Sequence, residues 1–278
     1  MLDNFNLLPP EAFTSSEKTV EKIIDKISDA VGWIVIPKGT KQYRLEAEQY
    51  LIEQVKNDPQ MPPLAKAATI SQVRKLIKEY LNQYNILSIA LNFLNENVNP
   101  DLLNNDWIST FFDKAKNVSK EETSIIWGKL LAKEINTPGS VSLSLIHILS
   151  LMSPTDAESF KKLSNFCVLI DGKYYLIYFH DHNEFYHKNG ILGENIIEAE
   201  DLGLLQFKSA GFYNEIDGNT KIKYFDCEWD ITPSEIFVGN VLLSKAGKEL
   251  ISIIDDKQKI EEFANFLEKK LIKNHFDN

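Results

Sequence analysis

Apolar positions in this chain recur at steps of three and four up to about residue 163, and in short alternating runs beyond it. The longest unbroken pattern lies between Ala65 and Asn97, where Ile70, Val73, Ile77, Tyr80, Tyr84, Leu87, Leu91 and Leu94 alternate three-residue and four-residue steps. That spacing predicts a long helix with a coiled-coil seam, and Leu76, Leu81, Ile86, Ile89 and Ala90 widen its apolar face. At 1.5 Å per residue such a rod is roughly 45 Å long. It needs a partner: either the helices preceding it, folded back, or the same helix of a second subunit. Tyrosines at two seam positions loosen a strict two-stranded coil and favour the first choice.

Two shorter helices are expected upstream. Ser15 or Ser16 opens one that runs to about Val31, with Val20, Ile23, Ile24, Ile27 and Val31 on one face, and a second spans Lys41 to Lys56. Pro59-Gln60-Met61-Pro62-Pro63 is a stiff connection, because successive prolines hold the backbone extended. Residues 1–14, with Pro9-Pro10 and no periodicity, read as an irregular arm. Val31 to Ile36, containing Trp33, is apolar enough for a weak membrane-surface contact, but the basic face beside it is thin and a buried helix end is the better reading.

The stretch Asp106 to Leu163 carries the clearest start and stop signals. Ser119 with Glu122 has the form of a capping box, and Ile125, Ile126, Trp127, Leu130, Leu131 and Ile135 then recur at helical spacing. Pro138-Gly139 stops that helix. Ser140 or Ser142 is expected to cap the next, with Leu143, Leu145, Ile146 and Leu149 facing inward, and Ser153-Pro154-Thr155-Asp156 opens another through Phe160 and Leu163.

Trp127, Leu130, Leu131, Ala132, Glu134, Ile135, Pro138, Gly139, Ser140, Ser142 and Leu143 form a W-x-x-L-L-A-x-E-I-x-x-P-G-S-x-S-L segment. It resembles the core of a bacterial family known as domain of unknown function 2806, and the Leu243 to Leu250 run extends the likeness. The resemblance implies no activity and brings no catalytic residues.

After Ser164 the pattern shortens. Cys167 to Ile170 and Tyr174 to Phe179, joined by Asp171-Gly172, read as a hairpin. Glu194 to Leu202 reads as a helix closed by Gly203. Ala210 to Tyr213 and Lys221 to Trp229, around Asp217-Gly218-Asn219, read as a second hairpin. Phe237 to Leu243 is a strand, Ser244 caps a helix from Lys245 to Ile254, and Lys257 to Ile272 is a final amphipathic helix. The expected fold is mainly α with a C-terminal α+β part. It comprises an N-terminal arm and helical pair (1–62), a long heptad-patterned helix (63–100), a central helical domain (101–165) and a winged-helix-like α+β domain (166–278).

Composition narrows the function classes. With 44% hydrophobic and 25% charged residues the chain has globular values, and no apolar run reaches the ~20 residues of a membrane helix. No signal-peptide pattern opens it, and its two cysteines, Cys167 and Cys227, are expected to be reduced, so a cytoplasmic protein is the expectation. The net charge is −10. Residues 171–256 hold sixteen Asp or Glu against seven Lys and no Arg, which opposes phosphate contact and makes nucleic acid an unfavourable partner.

One cluster invites a chemical reading. If His180 and His182 lie on a strand they share a face, and Glu184 or His187 would complete a three-ligand metal site. A solvated turn is the blander alternative, and no cofactor is expected. The phosphate-loop, dinucleotide, Cys-x-x-Cys, nucleophile-elbow and zincin motifs are all missing from the sequence. The expected function is therefore non-enzymatic protein interaction and self-association, with the Ile70 to Leu94 seam as the contact surface. A winged-helix nucleic-acid regulator and a metal-dependent hydrolase using His180 and His182 are the alternatives. A stress or phage-defence setting is compatible with such a family, although no residue argues for it.

Overall fold

A computed structural model of the chain describes residues 17–32, 41–215, 219–231 and 235–269. It is mainly α with a C-terminal α+β part, and it divides into two compact units, Met1–Leu143 and Ser144–Asn278. The boundary falls inside the 101–165 stretch. The 1–14 arm, Trp33 to Ile36 of the apolar run and Asp217-Gly218 lie outside the described residues.

The first unit holds five helices among its described residues. Helix α1 (Glu17–Val31) buries Val20, Ile23 and Ile27, the three-and-four positions of its sequence. It packs against α4 (Asn105–Ala115) and the 3-10 turn Pro100–Leu102. Helix α2 (Lys41–Asn57) packs on α3 (Pro63–Leu91), and the short Pro-containing connection between them is pinned where Lys66 Nζ donates to the Lys56 carbonyl at 2.6 Å. Helix α3 also packs against α4 and α5 (Glu121–Asn136). Asn82 and Gln83 of α3 donate to the Lys116 and Phe112 carbonyls, satisfying the open C-terminal end of α4.

Three local expectations change here. Helix α3 ends at Leu91 and does not reach Asn97, because the chain turns at Asn92 and Asn136 takes over its backbone: its amide donates to the Phe93 carbonyl and its Oδ1 accepts from Asn95 N. Leu94 thus lies beyond the helix, yet remains buried. The box expected at Ser119 is not formed either. The N-cap is Lys120, without a side-chain cap bond, and Glu121 and Glu122 stand in the first turn, where their charge suits the positive helix end. Leu76 is 56% exposed, although the apolar pattern of α3 includes it.

The second unit takes up at α6 (Leu143–Leu151), whose Leu145, Ile146 and Leu149 are buried while Leu143 faces out, contrary to expectation. Ser153 caps α7 (Pro154–Ser164) as expected, and Asp156 completes a capping box with it. Strands β1 (Cys167–Ile170) and β2 (Lys173–Leu176) form the predicted hairpin. Asp171 (φ 48°) and Gly172 (φ 76°) make its two-residue loop, the left-handed pair that an Asp-Gly turn supplies. Helix α8 (Asn183–Lys188) and helix α9 (Gly193–Asp201) follow.

The second predicted hairpin is wrong in its pairing. Strand β3 (Leu205–Glu215) pairs with β6 (Glu235–Leu243), while β4 (Thr220–Tyr224) turns through Phe225-Asp226 into β5 (Cys227–Ile231) and also joins β1. A four-stranded sheet β2-β1-β4-β5 and a two-stranded ribbon β3-β6 result. Ser244 caps α10 (Lys245–Ile251) as expected, its Oγ accepting from Gly247 N, but the helix stops short of Ile254. There Lys257 Nζ bonds the Ile251 and Ile254 carbonyls, so the chain from Ser252 to Ile260 is not helical and α11 (Glu261–Leu267) starts later than expected, while the expected end at Ile272 lies outside the described residues.

Candidate functional site

The W-x-x-L-L-A segment builds a packed joint. Trp127, Leu130, Leu131, Ala132 and Ile135 of α5 are buried, with the Trp127 ring 5.2 Å from that of Phe111. Glu134, only 2% exposed, sits in the last turn of α5, where its Oε1 accepts from Gly139 N at 2.7 Å and its Oε2 from Val141 N at 2.9 Å. Trp107 Nε1 of α4 donates to the Val141 carbonyl at 2.8 Å, and Ser140 Oγ donates to the Lys133 carbonyl. Gly139 holds φ +83°, which a residue with a side chain adopts only under strain. The Glu134, Pro138 and Gly139 positions therefore fold the chain back across α4 and α5. Both oxygens of the carboxylate are occupied by backbone amides, so it holds a loop.

Gly128, one residue after Trp127, serves the same joint. A Cβ at that position would lie 2.4 Å from Ile89 Cγ2, so α3 and α5 approach as closely as they do only because glycine stands there.

The seam residues of α3 differ along its length. Leu87, Leu91 and the following Leu94 are buried, while Ile70, Val73, Ile77, Tyr80 and Tyr84 are partly exposed. Leu76 is separated by three and four residues from Val73 and Tyr80, so it lies beside them on the helix surface. Arg74 pairs with Glu48 of α2 at 3.0 Å, and Tyr80 and Tyr84 stack at a centroid distance of 6.2 Å. Burial pushes the Tyr84 phenol above its ordinary range.

His180, Asp181 and His182 form a 3-10 turn and not a strand, so the shared face on which the metal reading rested is not formed. His180 Nε2 is 3.1 Å from Asp181 Oδ1 and its ring edge faces Phe207, whereas His182 lies edge-on to Phe179 and Phe266. Glu184 and His187 are exposed on α8. Among the described residues no group of three or more His, Cys, Asp or Glu side chains converges as a ligand set. Cys167 and Cys227 are free thiols, and burial pushes the Cys167 thiol far up, leaving it unreactive as a nucleophile.

What anchors the turn was invisible in the sequence. Asn240, 4% exposed on β6, accepts from His180 N at 2.9 Å and donates to the carbonyls of Lys208 and Ser209. Those carbonyls belong to a bulge: Phe207 pairs with Val241 and Phe212 with Gly239, so Lys208 to Gly211 all face the single residue Asn240. Gly239 (φ +100°) lets β6 run against Tyr178, whose carbonyl would be 2.3 Å from a Cβ there. Glycines inside the two strands, Gly211 in β3 and Gly239 in Val238-Gly239-Asn240-Val241, are the signals that could have pointed to a bulge.

A protein-family model described as "Protein of unknown function (DUF2806)" matches residues 69–268, most of the chain. The chain belongs to the DUF2806 family. The DUF2806 match begins inside α3, so the seam and the α5 joint fall within it and α1 and α2 outside. It runs through both compact units and ends one residue past α11. No curated protein and no solved structure matches the chain. Among the described residues no helix is long and apolar enough to cross a membrane.

Proposed function

We propose that this DUF2806 protein works by binding protein, first of all a second copy of itself, through the N-terminal half of α3, and that it is not an enzyme. The supporting observation is the change in burial along one repeat. Seam positions from Leu87 onward are covered by helices of the same unit, whereas Ile70, Val73, Ile77 and Tyr80 remain partly exposed beside the largely exposed Leu76. An apolar strip that α2 covers only in part is a surface on which a second helix can lay its own.

Charge supports protein over nucleic acid as the partner. Residues 144–278 hold 22 Asp or Glu against 14 Lys and no Arg, and phosphate binding needs the reverse balance. As the finer reading of the fold, we keep the winged-helix-like description for α9, the β3-β6 ribbon and α10; what supports it is that a helix directly precedes β3 and another directly follows β6, with β4 and β5 inserted between the two ribbon strands.

The test is mass photometry of the full-length chain at nanomolar to micromolar concentration, beside the Val73→Glu and Leu76→Glu variants. A dimer or higher species that the variants convert to monomer supports the proposal. A wild-type chain that remains monomeric across that range, or variants that associate as the wild type does, would overturn it.

A further inference from the structure

We draw no further inference here: the strongest candidate, the outward face of α9 where exposed Ile197 stands among Glu194, Glu198 and Asp201, is an acidic helix face, and nothing among the described residues shows what covers it.

Discussion

In the C-terminal half of α3, Leu87 and Leu91 are sealed by neighbouring helices, with Gly128 letting α5 come close enough to touch Ile89. In the N-terminal half the same three-and-four spacing continues through Ile70, Val73 and Ile77, yet these side chains stay partly exposed and Leu76 reaches solvent. One periodicity therefore has two outcomes. Spacing fixes which side chains share a helix face, but how deeply that face is buried depends on what the rest of the chain places against it.

If the halves differ as described, mutations should separate them. Leu87→Ala should cost about 2–5 kcal/mol, the range for truncating a fully buried leucine, read as a lower urea midpoint at unchanged m value. A loss within a few tenths of a kcal/mol would mean that the C-terminal half is no better packed than the other. Gly128→Ala comes next. Alanine is favoured over glycine in a helix by about 1 kcal/mol, but overpacking against Ile89 costs roughly 1–3 kcal/mol, so the net effect should be destabilising. A more stable Gly128→Ala protein would show that α3 and α5 have room to spare.

The N-terminal half should behave in the opposite way. Leu76→Glu should leave stability within roughly 0.5 kcal/mol, as exposed substitutions do, while weakening self-association tenfold or more, about 1.4 kcal/mol. Thermal melts and sedimentation equilibrium on one sample separate the two effects. The smallest expected change concerns Tyr84, midway along the seam. Burial raises its folded pKa above the ordinary 10.0, so the neutral phenol is the form the fold favours. Its contribution is fully present below pH 10 and is lost as pH rises through the higher folded value. Urea titrations at pH 9 and 11 should therefore show a fall in stability that Tyr84→Phe reduces; an unchanged fall would assign the loss to other groups.

Several local signals whose responsible residues are sequence neighbours were legible, the Ser119–Glu122 box being an exception. Asp171-Gly172 fixed a hairpin because both residues accept left-handed backbone, and Ser153 and Ser244 marked helix starts because each hydroxyl takes an amide three residues on. Non-local pairing was not legible. Strand β3 passes over the strands that follow it to join β6, and nothing in Ala210 to Tyr213 names that partner. The β4-β5 turn was hidden because Phe225 adopts φ +52° without being Gly, Asn or Asp. The α5 joint was legible as a motif, but its purpose was not. Only the positions of Gly139 and Val141 reveal that Glu134 spends both oxygens on backbone amides. At His180 only the strand on which the metal alternative rested did not form, for a related reason: the turn's shape is set by Asn240, sixty residues away along the chain.

The bulge in β3 bears on how the protein tolerates crowding. An eleven-residue strand at the rim of a two-stranded ribbon would ordinarily offer a docking rail for the same strand of a neighbour, the first step toward fibrils. Because Lys208 to Gly211 leave the ladder's regular spacing, with Asn240 holding two of their carbonyls, no incoming strand can zip along the full length. Such stacking would be interrupted near the midpoint of β3.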